Sequence, residues 1–191
     1  MRIPNSAQAL RLLGVINLRS PFGLRDHRMM MLALHTGLRV SELSSLDIEH
    51  VSGNGVPREI LDLPAAITKF HKARQIPLNP VARRVISELL GFNQARGFSV
   101  AGGAPLFQHR KHDRLSVRSI QLLVERYRNL ANLDVKMTPH SLRHKFATDV
   151  LRATGDIHIV KELIGHRDIR TTELYLHTDI DDLARAVGLL A

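Results

Sequence analysis

The stretch TPHSLRH at residues 138–144 predicts the start of a helix that carries three basic side chains. A threonine at the N-cap followed by a proline at the first helical position is typical of a helix start. His140, Arg143 and His144 then fall at positions i, i+3 and i+4, which share one face, whereas Leu142 falls on an apolar face. Because a helix N-terminus attracts anions, the stretch predicts a phosphate pocket. A solvated basic face behind a capping motif is the alternative.

The same stretch can be compared with a zinc site. His140 and His144 have the H-x-x-x-H spacing that places two metal ligands on one helix face. However, Ser141 stands where zinc proteases carry their general-base glutamate, and Arg143 would place a cation beside the metal. We therefore expect no metal and no cofactor.

Composition narrows the class of protein. The chain has 191 residues, 44% of them apolar, and it has no cysteine. This length fits one domain, and the lack of cysteine excludes disulfides and thiolate zinc sites. No apolar run reaches the ~18 residues of a membrane span, and the N-terminus lacks the pattern of a secretory signal. We expect a single cytoplasmic domain over residues 1–191, with no membrane partner.

The net charge of +9 is concentrated in one part of the chain. Residues 63–124 hold ten basic residues against two acidic ones, which predicts a nucleic-acid partner, although a solvated basic surface remains the alternative. The absence of tryptophan and the scarcity of other aromatic residues favour duplex DNA over single strands. The predicted DNA contacts are Lys72, Arg74, Arg110, Lys111, Arg114 and His144.

Hydrophobic periodicity and helix boundary signals predict a mainly α chain with a small antiparallel β-sheet, the α+β class. Strands are expected at residues 58–63 and 74–78, with a hairpin turn between them. Asp156 and Asp168 are expected to cap helices, and Gly37 and Gly165 to end them. The predicted helices cover residues 6–13, 25–36, 40–46, 80–94, 117–131, 139–152, 157–164, 169–177 and 179–190.

Two tyrosines are candidate nucleophiles, since a phenoxide can attack phosphorus and later leave. Tyr127 falls on the apolar stripe of its helix and is expected to lie in the core. Tyr175 has polar neighbours and follows His166 by nine residues, which suits a site better.

Three further charged residues are candidates for a site. Arg39 follows the glycine that ends a helix, and Glu42, three residues later, can either brace it through an ion pair or hold a water. Lys69 lies in the predicted hairpin turn, from which a long side chain can reach into a cleft. Taken separately, each of them fits an ordinary surface charge.

Four blocks of this chain together resemble the tyrosine recombinases of the phage integrase family. They are TGLRVSEL at 36–43, ITKFHKARQIPL at 67–78, HSLRH at 140–144, and LIGH at 163–166 followed by Tyr175. The blocks occur in the family's order and span nearly the whole catalytic domain. The resemblance implies the tyrosine recombinase catalytic-domain fold, mainly helical with a small three-stranded sheet.

The resemblance also implies a reaction, the cleavage and rejoining of duplex DNA without metal or ATP. Tyr175 would attack the scissile phosphorus and form a 3′-phosphotyrosyl link, with His140 assisting proton transfer. Lys69 would protonate the departing 5′-oxygen. Because Thr68-Lys69-Phe70 replaces the family's usual glycine-lysine-glycine, Lys72 is the alternative acid.

The remaining site residues are implied in the same way. Arg39 and Arg143 would bind the non-bridging oxygens of the phosphate. His166 would donate a hydrogen bond to the developing charge, and Glu42 would support the pocket. On DNA, four copies are expected to assemble.

Many family members carry an N-terminal domain that grips the other face of DNA, and only about 35 residues precede Arg39 here. We therefore expect that domain to be absent, because the chain is either a naturally short recombinase or a catalytic fragment. Residues 179–191 are expected to form a C-terminal docking segment. A DNA-binding module that has lost turnover and a DNA-relaxing enzyme of type IB topoisomerase character are the two alternative functions. In the cell, we expect nucleoid association and a role in DNA recombination or integration.

Overall fold

Helices dominate the structure, a computed structural model that describes residues 3–69, 71–109, 113–134 and 136–165. Within these ranges there are eight α-helices: α1 Ser6–Gly14, α2 Gly23–Thr36, α3 Val40–Ser44, α4 Ile48–Val51, α5 Pro80–Ala95, α6 Val117–Leu130, α7 Pro139–Thr154 and α8 Ile157–Ile164. The strands are β1 Ser52–Gly53, β2 Val56–Pro57, β3 Ile60–Leu63 and β4 Arg74–Pro77. The expected α+β class is confirmed. The helices predicted after residue 168, with the Asp168 cap, lie outside the described residues.

Side-chain caps explain where several helices begin. The Asn79 side chain accepts a hydrogen bond from the Ala82 N–H at 2.9 Å, and Pro80 opens α5. Asp156 likewise accepts from the His158 N–H at 2.7 Å, so the predicted cap of α8 is confirmed. Gly37 ends α2 and Gly165 ends α8, both in the left-handed conformation, as expected. None of the described helices is both long and apolar enough to span a membrane.

The strands form two separate antiparallel pairs in the described part of the chain, instead of the three-stranded sheet that the resemblance implies. β1 pairs with β2 over only two residues on each side, and Pro57 has no N–H with which to extend the ladder. β3 pairs with β4 over four residues, with Leu61 opposite Ile76. Both of these side chains are buried, so this ladder is anchored to the core.

The chain divides into two compact units, residues 1–146 and 147–191, and the single domain over residues 1–191 stays a prediction. In the first unit, α2 packs against α5, and α3 packs against α6. Apolar side chains of α2, α3, α6 and the start of α7 line one common space; among them are Met29, Leu43, Val124 and Leu142. Packing against these apolar side chains therefore fixes the position of the start of α7.

Tyr127 lies in the core, as its position on the apolar stripe of α6 predicts. It is 6% exposed, and its hydroxyl donates to Asp26 Oδ2 at 2.9 Å. Arg25 donates to the other oxygen of Asp26 and to the Gln108 carbonyl, which completes a buried polar network. Burial, followed by the charge of Asp26, raises the pKa of Tyr127 to about 12.

Replacing Tyr127 by phenylalanine should destabilise the protein without changing its fold. Tyr127→Phe keeps the ring in place but deprives buried Asp26 of a hydrogen bond, which costs about 1–3 kcal/mol. Urea unfolding at pH 7 measures this loss, and an unchanged midpoint would show that the bond contributes nothing. Above pH 10 the difference in stability between the wild type and Tyr127→Phe should narrow. Tyr127 ionises at a lower pH in the unfolded chain than in the folded one, so the wild type loses stability there and the variant, which lacks this hydroxyl, does not.

Candidate active site

The first turn of α7 brings together the three basic residues found in the sequence. The Ser141 N–H donates to Thr138 Oγ1 at 3.3 Å, as expected of an N-cap threonine. The rings of His140 and His144 contact each other edge to face, with centroids 4.2 Å apart, so they do share one face. Leu142 is only 1% exposed and turns toward the core.

Arg143 is held by the loop that follows α2. Its Nη1 donates to the Gly37 carbonyl at 2.6 Å, and the side chain is almost completely buried. Gly37 has a φ of +62°, and a Cβ at this position would lie 2.3 Å from the Phe146 ring. Glycine is therefore required both by the backbone conformation and by the close approach of α7.

Arg39 stands two residues after that glycine, at the N-cap of α3. The predicted ion pair with Glu42 is confirmed, since Arg39 Nη1 donates to Glu42 Oε1 at 3.0 Å. The Arg39 backbone N–H also donates to Glu42 Oε2 at 2.8 Å. Glu42 thus holds both the main chain and the side chain of Arg39.

Arg74 approaches the same carboxylate from strand β4. Its two terminal nitrogens donate to the two oxygens of Glu42, each at 2.7 Å, while the Glu42 side chain is fully buried. Burial alone would raise the pKa of Glu42, but the hydrogen bonds and charge of Arg74, and then those of Arg39, lower it below its ordinary value. Glu42 is therefore ionised at neutral pH.

The electrostatics of the pocket keep both imidazoles of α7 neutral. Partial desolvation lowers the pKa of His140, and the charges of Arg143 and Arg39 lower it further. Burial, followed by the proximity of His140 and Arg143, lowers the pKa of His144 to about 4. Arg39 and Arg143 thus form a positive pair beside the neutral imidazole of His140.

The two candidate lysines lie on the turn between β3 and β4. This turn includes the short 3₁₀ helix Ala65–Ile67, and the Thr68 hydroxyl closes it by donating to the Lys72 carbonyl at 3.0 Å. The Lys69 and Lys72 side chains are both exposed. His71 takes the positive φ of the turn, at +49°. The turn presents both lysines to solvent.

Of the other predicted DNA contacts, Arg114 lies within the described residues, whereas Arg110 and Lys111 do not. Arg114 is bound to Asp47 and to the carbonyls of Ser44 and Leu46, so it ties its own loop to the end of α3. No cluster of three or more potential metal-ligating side chains occurs within the described ranges. The predicted residues that lie outside the described ranges are Arg110, Lys111, His166 and Tyr175.

A sequence profile of the phage integrase family matches residues 5–181. The chain belongs to this family. The match covers all four blocks from which the resemblance was drawn, including the turn with Lys69 and the position of Tyr175.

Curated relatives in the family carry the name tyrosine recombinase XerC. The protein from Actinobacillus pleuropneumoniae serotype 7 is 36% identical over 165 residues, which is 86% of this chain and 51% of that protein. The protein from Azotobacter vinelandii is 39% identical over 165 residues, covering 84% of this chain and 50% of that one. The chain therefore spans about half the length of these relatives.

Solved structures of recombinases share the fold of this family member. The XerA recombinase superimposes with a TM-score of 0.80 at 24% identity, covering 99% of this chain and 65% of that one. The XerH site-specific recombinase, in a post-cleavage complex with its palindromic difH substrate, gives a TM-score of 0.75 at 23% identity, covering 99% and 54%. At these identities the likeness establishes the fold.

Two contacts of the site were not foreseen from the sequence. The Gly37 carbonyl that binds Arg143 carries no side-chain signal, because any residue has a carbonyl. The inward direction of Arg74 did have a signal, since Arg74 and buried Ile76 are two residues apart on β4 and share one face of the strand.

Replacing Gly37 by alanine should disturb the site far more than the same change at Gly97. Gly97 also has a positive φ, +69°, but a Cβ there meets nothing within 4 Å. Gly97→Ala should therefore cost only the ~1–2 kcal/mol of the left-handed backbone. Gly37→Ala should cost about 1–3 kcal/mol more, because the Phe146 ring must move. Chemical denaturation of both variants measures the difference, and equal losses would show that α7 does not pack closely on this loop.

The titration of His144 should be shifted far toward acid. Because its folded pKa of about 4 lies below the ordinary 6.5, the unfolded chain binds more protons between these values. The free energy of unfolding should therefore fall as the pH drops from 6.5 toward 4, and His144→Gln should flatten this dependence. An NMR titration of the imidazole measures the pKa directly, and a value near 6.5 would contradict the burial of this ring.

Proposed function

We propose that this chain is the catalytic part of a site-specific DNA recombinase, which cleaves and rejoins duplex DNA through Tyr175. The observation that carries the proposal is the cluster of Arg39, Arg143 and His140 at the N-terminus of α7. Membership of the phage integrase family and the names of its XerC relatives support the same conclusion.

The cluster suits a phosphodiester in particular. A scissile phosphate has two non-bridging oxygens, and the bidentate geometry of guanidinium groups matches such oxygens better than a lysine does. Arg39 and Arg143 are both fixed before any substrate binds, by Glu42 and by the Gly37 carbonyl. Two fixed cations stabilise charge that develops in the transition state without having to reorganise at that moment.

Proton transfers follow from the state of each group. The phenol oxygen of Tyr175 forms a bond to phosphorus, and the bond from phosphorus to the 5′-oxygen breaks. Neutral His140 is able to take the phenol proton, because its lowered pKa leaves the imidazole uncharged at neutral pH. Lys69, or Lys72 from the same turn, gives a proton to the departing 5′-oxygen. The reverse steps, with a 5′-hydroxyl from another strand, complete the exchange.

The substrate we propose is double-stranded DNA, bound through the basic stretch of residues 63–124. Among the solved structures of this fold, the XerH recombinase was crystallised with its difH substrate both before and after cleavage. Strand exchange needs two duplexes, so we propose that the protein self-associates on DNA as a tetramer, with residues 179–191 docking between copies. The cytoplasm and its nucleoid are the proposed location.

The two tyrosines of the chain provide a test of the nucleophile. Incubated in EDTA with a pool of nicked duplexes, the wild type should form an adduct with DNA that resists SDS. A nick near the cleavage site releases the 5′-hydroxyl fragment, so that the link cannot be resealed. Tyr175→Phe should abolish the adduct and leave duplex binding nearly unchanged, because it removes only the attacking oxygen.

Tyr127→Phe is the matched control, since the structure places this hydroxyl in the core. Provided that it folds, the Tyr127→Phe variant should still form the adduct. An adduct made by Tyr175→Phe would reject the assigned nucleophile. Binding without any adduct in the wild type would favour the silent DNA-binding module, and relaxation of supercoiled DNA without strand exchange would favour the topoisomerase-like alternative.

A further inference from the structure

The guanidinium group of Arg74 is hydrogen-bonded to another side chain of the protein. Both terminal nitrogens bind Glu42 at 2.7 Å, and Nε is a buried atom. The Arg74 side chain as a whole is only 11% exposed. A phosphate contact, which the sequence predicts for Arg74, would compete with these bonds for the same groups.

Glu42 links Arg74 to Arg39. Each oxygen of the carboxylate accepts one hydrogen bond from Arg74 and one from Arg39. The carboxylate therefore has one orientation that satisfies both arginines. Because Glu42 is fully buried, the loss of one partner leaves its charge incompletely paired in a low-dielectric environment, which is costly.

We propose that Arg74 is a positioning residue, which orders the guanidinium of Arg39 by fixing the Glu42 carboxylate between them. This inference rests on the proposed function, in which Arg39 binds the scissile phosphate. Arg74 itself contacts no reacting atom. It acts from β4, more than thirty residues along the chain from the group that it orients.

The two-point contact is what makes Arg74 suitable for this role. A single hydrogen bond leaves a carboxylate free to rotate about its last torsion, which is a broad one. Two parallel bonds from one planar guanidinium fix that rotation. A lysine at the same position would keep the charge but lose the second bond, so Arg74→Lys separates the geometry from the electrostatics.

The first arm of the test measures the order of Arg39 in the free protein. Nitrogen-15 relaxation of the Arg39 Nε group, assigned by its loss in Arg39→Lys, should show reduced order in Arg74→Lys and a larger reduction in Arg74→Gln. Arg83→Lys is the matched control, because its exposed side chain contacts Glu59 at 3.5 Å and should leave Arg39 unchanged.

The second arm distinguishes positioning from a contact with DNA, and it needs no knowledge of the target sequence. A random-sequence duplex is titrated over a range of salt concentrations. If Arg74 neutralises a phosphate, its loss reduces the slope of log K against log salt by about 1. If it positions Arg39 through Glu42, the slope in Arg74→Gln stays at the wild-type value.

The third arm uses a duplex recovered from the trapped adduct. Arg74→Lys should slow single-turnover cleavage, and Arg74→Gln should slow it by up to about 10²-fold, the order of loss that follows a small misplacement of a catalytic group. In an Arg39→Lys background the same changes should have little further effect, because residues that act as a unit are not additive. A purely structural role would instead give additive losses.

The three arms of this experiment test the positioning role of Arg74 separately from the proposed recombinase function. Unchanged Arg39 order in both Arg74 variants, or a salt slope reduced by about 1, would overturn the positioning role whatever the protein does to DNA. Additive losses in the third arm would overturn it as well. A wild type that forms no adduct would reject the proposed function, while the first two arms would still decide whether Arg74 orders Arg39.

Discussion

The arrangement of the site depends on the ion pairs made by the buried carboxylate of Glu42. A fully buried charge is costly unless it is paired, and here two guanidinium groups pair with it at once. One of them comes from the N-cap of α3 and the other from strand β4. The ion pairs therefore join the helical part of the first unit to the β3–β4 ladder, with Arg39 at the junction.

A second constraint comes from the backbone between α2 and α3. Gly37 lets the chain turn sharply enough for its carbonyl to meet Arg143, while the Phe146 ring fills the space above it. Arg39 follows two residues later. The same short loop thus sets the positions of two arginines that are more than one hundred residues apart in sequence. Apolar packing beneath α7, through Leu142, keeps that helix in place.

The guanidinium groups of Arg39 and Arg143 place positive charge beside the imidazoles of α7. Burial is the main reason why the pKa of both His140 and His144 is lowered, and the neighbouring positive charge lowers it further. The negative charge of Glu42 offsets part of this positive charge.

The sequence by itself determined seven of the eight described α-helices, all except α4, and the β3–β4 pair. It also determined the Thr138 and Asp156 caps, the glycines that end α2 and α8, and the face shared by His140 and His144. These follow from local signals: periodicity, proline and glycine positions, and capping side chains. Only the tertiary structure decided that Arg74 binds Glu42 and that a backbone carbonyl holds Arg143. Both contacts join residues far apart in the chain, where spacing carries no information. They exist because buried polar groups must find partners wherever packing brings them together.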